Sequence, residues 1–301
     1  MVISDEVDTA LREGRGVVAL ETTIVVHGLP APINLDVAGE CEVAVRKGGS
    51  TPATIGVLNG RVVVGMSVEE LAVLADPDRH AAKFSARDLG VALATGTDGA
   101  TTVASTITVA RRVGIDVMAT GGLGGVHRDA SSSFDESADL TTLSRTSVLV
   151  VASGVKSILD IPATLERLDS LGVPVVGFAT RQFPGFYRRD SGFTLEWAVA
   201  SAEEAAAAFA RHREFSTTGF LVANPVAAES ELDEHLHDEA LAHALETTQL
   251  QGISGKAVTP ALLAEFARHT KGVSVQVNRD LVVANAALAG EIAASLASAL
   301  G

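Results

Sequence analysis

Cysteine occurs once in this 301-residue chain, at Cys41, so neither an internal disulfide nor a thiolate zinc cluster can form. An unpaired thiol suits a reducing compartment, where it serves most simply as a small buried apolar side chain. Basic residues are scarce as well. Lys and Arg number 23 against 37 Asp and Glu, and the net charge of −14 repels phosphate backbones and anionic lipid, which excludes nucleic acid and membrane surfaces as general partners. Screening within about 10 Å still leaves room for a local basic pocket that takes one small anion. No uninterrupted apolar stretch reads as long enough to cross a bilayer. The N-terminal MVISDEVDTALREGRG has acidic residues where a signal peptide has basic ones, so the expected location is cytoplasmic. The Walker pattern GxxxxGK[ST] and the dinucleotide pattern GxGxxG are both missing. With no Pro- or Ser-rich linker and no internal repeat, residues 1–301 read as a single domain.

What is present alternates between strand and helix patterns. Val17 to Val26 is a β-branched apolar run, and Asn34 to Lys47 is a helical stretch stopped by Gly48-Gly49. Thr51 to Leu58 and Arg61 to Met66 flank Asn59-Gly60, a strong hairpin signal. Ser67 to Glu70 is a capping box, Thr101 to Val113 a helix, and Ile115 to Ala119 a buried strand. Val148 to Ala152 and Pro174 to Ala179 are strands on either side of a helix from Ser157 to Leu171. Gly219 to Ala223 is another strand, set between surface helices at Ala202 to Phe209 and Ser230 to Thr247. Thr259-Pro260 opens a helix, and Asn285 to Leu300 forms a long apolar one. This order predicts an α/β/α sandwich with a mixed, mostly parallel central sheet and helices on both faces.

In such sheets ligands bind beyond the carboxyl ends of the strands, and five polar groups fall there. Glu21 sits inside the apolar ALETTIVVHG, where desolvation raises a carboxyl pKa and suits a general acid; an outward-facing or lysine-paired carboxylate is the plainer reading. Lys83 and Arg87 in KFSARDL are one helical turn apart and could present two cations together, or simply form a solvated face. TGGLGGVHR follows a strand. Its glycines allow backbone amides to approach an anion, and Thr120, His127 and Arg128 add donors, although glycines can equally mark a tight turn. Asp135, Glu136 and Asp139 offer hard oxygen ligands without nearby His or Cys, a supply suited to Mg²⁺ or Mn²⁺ that keeps most of its waters. Lys156 in SGVKSILD follows a buried strand at the mouth of a helix, a setting for a Schiff-base amine or for a snorkelling surface lysine. Together these groups fit chemistry on a sugar phosphate.

The segments ALETTIVVHGLPAPIN, TPATIGVLNGRVVVGMS, KFSARDL, TGGLGGVHR, FDESADLTTL, SGVKSILD and GKAVTPALLAEFA resemble the pseudouridine-5′-phosphate glycosidase family, also called indigoidine synthase A-like, nearly end to end and in order. The resemblance implies reversible cleavage of the carbon–carbon glycosidic bond of pseudouridine 5′-phosphate to uracil and ribose 5-phosphate, with Mn²⁺ as cofactor. It also implies a lysine imine at C1′ of the opened ribose. By motif position Lys156 matches the imine-forming lysine, Glu21 the proton-handling glutamate, and Lys83 a second active-site lysine. Asp139 matches the aspartate that holds the metal. Thr120, Gly121, Gly122, Gly124, Gly125 and His127 match the loop that receives phosphate and ribose hydroxyls, and Asn278 the amide that reads the uracil edge. A homotrimer is implied, and a pseudouridine kinase would be a pathway partner.

Three departures from the family pattern stand out. NPIPEE becomes Asn224-Pro-Val-Ala-Ala-Glu229, the paired asparagines become Ala284-Asn285, and SRRD becomes Ser85-Ala-Arg87-Asp88. The first two bear on base preference and the third on phosphate affinity. Rival readings are an imine-forming sugar-phosphate aldolase or isomerase and a non-catalytic accessory protein of pigment biosynthesis; the second has no use for a nucleophilic lysine. His235, His237 and His243 read as a solvated helix face, and Trp197 as a packing residue.

Overall fold

Successive residues of the central strands are apolar and buried on both sides, the pattern of a sheet covered on both faces. In a computed structural model, which describes residues 1–253 and 258–300, these strands form one sheet. In chain order they are β1 (Val2–Ile3), β2 (Val17–Glu21), β3 (Thr51–Leu58), β4 (Arg61–Val64), β5 (Ala82–Phe84), β6 (Gly99–Thr101), β7 (Val117–Ala119), β8 (Leu149–Ala152), β9 (Val175–Phe178), β10 (Ala198–Val199) and β11 (Phe220–Ala223). The spatial order is β1-β4-β3-β2-β7-β8-β11-β9-β10, with β6 also on β3 and β5 on β6. Only the β3–β4 and β3–β6 pairings are antiparallel, so the sheet is mixed and mostly parallel as expected. Asn59 and Gly60 both take positive φ, the conformation a tight two-residue hairpin requires.

Two cores follow from strand parity. Ala19, Ile55, Met118, Val150 and Ala152 face the helices Val103–Val113, Ala138–Leu143 and Ile161–Ser170. Leu20, Val117, Ala119, Leu149 and Val151 face Ile33–Lys47, Ala202–Phe215 and Val273–Leu300. Cys41 lies in the second core, and burial pushes its thiol up to about 12.

Several boundaries differ from the sequence-based expectation. The apolar run after Val17 leaves the sheet at Glu21 and closes a π-helical turn over Ile24–Gly28. The helix expected from Asn34 begins at Ile33, and Asn34 is buried inside it, donating to the Val25 carbonyl at 2.8 Å. The helix after β8 begins at Ile161, because Asp160 caps it by accepting from the Ala163 amide; Lys156 therefore stands in a loop ahead of the helix. The last helix starts at Val273, twelve residues before Asn285. Within it Val273–Ala299 is long and apolar enough, by length and composition, to cross a membrane, although Arg279, Asp280, Asn285 and Glu291 interrupt its apolar run; 56% of its most apolar window is buried in the fold. Trp197 is 67% exposed and does not pack. His237 is tucked against Phe266 instead of lying on a solvated face. Ser254, Gly255, Lys256 and Ala257, at the start of the GKAVTPALLAEFA motif, lie outside the described residues.

Candidate active site

The chain leaves β2 to build β3 on one side and returns to build β7 on the other, so the sheet's topological switch lies between β2 and β7. A crevice opens at the carboxyl ends of strands at such a point. Glu21 is the last residue of β2, and Thr120 follows β7. Both are buried, and the Thr120 hydroxyl donates to Glu21 Oε1. Burial pushes the Glu21 carboxyl above the usual range. Lys156, the Thr120 bond and Lys83 oppose that shift, while Asp139 adds to it. The chain beyond Glu21 is pinned by its two threonines. Thr22 donates to the Ile55 carbonyl at 2.9 Å and accepts the Thr101 amide, and Thr23 donates to the Thr101 carbonyl.

Glu21, Thr23, Lys83 and Lys156 line a wall shared by two adjoining spaces. The larger, with about 250 Å³ open to the centre of a water molecule, is polar. Around it stand Ser85, Arg87, Gly124, Gly125, His127 and Asp139. Lys83 and Arg87 do meet here, but from β5 and the 3-10 turn Ala86–Asp88, not from one helix. Ser85 lines this space, and its hydroxyl is buried with no hydrogen-bond partner among the described residues. His127 Nδ1 lies 3.9 Å from Asp135 Oδ2. Arg128 does not join them. Its guanidinium donates to the Ile158 and Ser157 carbonyls, at 3.2 Å each, and so fastens the glycine loop to the loop carrying Lys156.

Asp139 is buried at the start of Ala138–Leu143, where its oxygens accept the Ala104 amide (2.9 Å) and the Gly124 amide (3.0 Å). Each oxygen keeps a further lone pair. Among the described residues no group of three or more His, Cys, Asp or Glu could enclose a metal. A single anchored carboxylate bordering a roomy polar space fits a hard cation that retains most of its water, and does not fit a closed site. Gly124 is required at this point, since a Cβ there would come 2.7 Å from Asp139 Oδ2 and collide with the Ser137 hydroxyl.

The second space is a narrow recess of about 40 Å³ by the same measure, bordered by Ile24, His27, Gly121, Gly122, Phe186 and Asn278. Phe186 packs so close to the loop that a Cβ on Gly122 would lie 2.6 Å from its ring. It also holds φ +63°, a costly conformation for a bulky side chain and one that concentrates at functional sites. Asn278 is buried, with Oδ1 unpartnered among the described residues. Asn285, two helical turns further on, borders neither space. Its Nδ2 donates to the Thr120 carbonyl (2.8 Å) and Ser153 Oγ (3.1 Å), and its Oδ1 accepts from Asn224 Nδ2 (2.9 Å). Asn224 and Asn285, kept beside the departures, thus stitch the structure beneath the loops, and the departed positions Val226, Ala227, Ala228 and Ala284 do not line the recess.

Residues 6–295 match the protein family described as indigoidine synthase A like protein. The chain belongs to this family. Among curated members it is 56% identical to the pseudouridine-5′-phosphate glycosidase of Salinispora tropica, covering 97% of this chain and 91% of that one. It is 51% identical to the enzyme of the same name from Streptomyces griseus, over 99% and 93%. Among solved structures, the prealnumycin C-glycosynthase AlnA in complex with ribulose 5-phosphate superposes with a TM-score of 0.91 at 38% identity, over 99% of this chain and 97% of that one. The indigoidine synthase A (IdgA)-like protein of Thermotoga maritima gives 0.88 at 38% identity, over 95% and 94%. These two solved structures therefore share this fold over nearly the whole chain.

Proposed function

We propose that the chain is a pseudouridine-5′-phosphate glycosidase, reversibly converting pseudouridine 5′-phosphate and water to uracil and ribose 5-phosphate. One observation carries the reading. Lys156 and Glu21 border both a cation-lined polar space and a narrow recess with a buried, unsatisfied amide, so a sugar phosphate and a base attached to it would meet at the amine and the acid. The relatives' shared name supports it, as does the ring-opened sugar phosphate held by the C-glycosynthase.

The Lys156 amine attacks C1′, and the C1′–O4′ bond breaks with its electron pair on O4′, which takes up the proton that the nitrogen gives up, leaving a neutral secondary amine. Glu21, whose carboxyl burial pushes above the usual range, delivers a proton to C5 of the base. The lysine nitrogen lone pair then forms the C1′=N bond as the C1′–C5 bond breaks, and the departing pair restores the C5–C6 double bond of uracil. Water adds to the imine, and the amine leaves to give ribose 5-phosphate. Lys83, Ser85, Arg87 and His127 would bind the phosphate and hydroxyl oxygens, with Gly125 bordering the same space and packed against Thr164 and Val155. Thr120 positions Glu21, and Gly121, Gly122 and Asn278 border the base. Mn²⁺ would sit on Asp139 with water in its remaining positions, supplying positive charge beside the sugar oxygens. The enzyme acts in the cytoplasm as a homotrimer, on substrate made by a pseudouridine kinase.

The test incubates purified protein, Mn²⁺ and pseudouridine 5′-phosphate and follows uracil by chromatography. Uracil from the parent and none from Lys156→Ala is the expected result. A folded, metal-loaded parent that releases none overturns the reading. Release of a small aldehyde in place of uracil would favour the aldolase.

A further inference from the structure

The recess holds a second unsatisfied acceptor besides Asn278 Oδ1. His27 ends the π-helical turn Ile24–Gly28, and its Nε2 is buried without a hydrogen-bond partner among the described residues. The backbone of Ala82 favours the protonated ring, as a carbonyl acceptor beside it does, and its amide is already committed to the Asp98 carbonyl. With Nε2 unpartnered, Nδ1 is the nitrogen assigned to the Ala82 carbonyl, and in that tautomer Nε2 presents a lone pair. Burial, with Lys83 nearby, holds the imidazole below its ordinary pKa and keeps that lone pair free at neutral pH. Two desolvated acceptors therefore border one narrow recess, and each is costly until a donor reaches it.

We propose that His27 Nε2 and Asn278 Oδ1 each accept one of the two ring N–H groups of the base, which makes His27 a specificity-determining residue for a pyrimidine joined to its sugar through carbon. This rests on the function proposed above. A carbon-linked uracil keeps both N1–H and N3–H, whereas a nitrogen-linked one has given N1 to the sugar. A site built to hydrogen-bond a group rejects the analogue lacking it far more strongly than an apolar pocket could, because its own polar atom is left unpaired. The recess thus selects the linkage through the base.

Calorimetric titration with uracil and with its two deaza analogues, in which N1–H or N3–H is replaced by C–H at nearly constant size, tests the pairing. In the parent each replacement is expected to weaken binding at least tenfold. In His27→Phe, which keeps an aromatic ring and loses the acceptor, uracil binds about tenfold more weakly and one of the two replacements costs nothing further. In Asn278→Leu the other replacement becomes free. Borohydride trapping of ribose 5-phosphate on the protein should persist in His27→Phe, which shows that the sugar site is intact. The proposal is overturned if His27→Phe binds uracil as the parent does, or if both penalties survive in it. A parent that binds uracil with both penalties but releases none from pseudouridine 5′-phosphate overturns the proposed activity and leaves this pairing standing. A parent that turns over substrate yet ignores both replacements sinks the pairing alone.

Discussion

Glu21 is held at odds with folding stability, since burial raises its pKa above that of the unfolded chain. A raised carboxyl contributes stability that is complete below the unfolded value and lost as pH rises through the folded one. Glu21→Gln should therefore raise Tm by about 2 °C or more at pH 8 and have little effect below pH ~4. Uracil release should fall about 10²- to 10⁴-fold, because the amide cannot give a proton. Differential scanning calorimetry at the two pH values, beside the chromatographic assay, checks both halves; a variant that loses stability at pH 8 contradicts the argument. Gly124→Ala should push Asp139 aside and weaken Mn²⁺ about 10- to 100-fold, read by metal titration. The sequence made Glu21, Lys83, Asp139 and Lys156 legible because charge inside apolar strands, or just beyond them, is conspicuous. It hid His27, Ser85 and Phe186, whose significance lies in unpaired atoms and in one φ angle, neither of which leaves a compositional trace.

The helix Val273–Leu300 separates two kinds of buried amide. Asn285→Ala would strip partners from the Thr120 carbonyl, Ser153 and Asn224, and should cost about 2–4 kcal/mol in urea unfolding. Asn278→Leu removes an acceptor that folding leaves unsatisfied, so the protein should unfold no more easily than the parent while KM for the base rises. If the two variants are equally destabilised, the distinction fails. The strand and helix pattern was readable from apolar periodicity along most of this fold, and the capping box at Ser67 and Glu70 forms as its spacing indicates. The start of the last helix was not readable. Val273 to Asn285 mixes Gln276, Asn278, Arg279 and Asp280 among its apolar residues, because it borders the recess and the surface as well as the core. The helix after β8 was placed too early for a related reason. Ile158 and Leu159 extend the apolar spacing of the helix back to Ser157, yet residues 157–160 stay in a loop whose Lys156 amide bonds the Leu123 carbonyl.

At the scale of the molecule, the homotrimer expectation is open to sedimentation equilibrium, which should return a mass near three times 30.9 kDa. A monomer across micromolar concentrations would refute it. The parallel sheet and its two faces were legible because fully buried strands and amphipathic helices carry different periods. Which strands neighbour one another was not, since that depends on chain crossings no local pattern encodes. The switch between β2 and β7 has a temporal consequence. The groups gathered there are drawn from positions 21, 83, 120, 139, 156 and 278, and the helix bearing Asn278 is made after all the strands. Until that helix docks, Leu20, Val117, Ala119, Leu149 and Val151 face water instead of its apolar side. A nascent chain that already holds Glu21, Asp139 and Lys156 is therefore still unfinished on one face until this helix has been made.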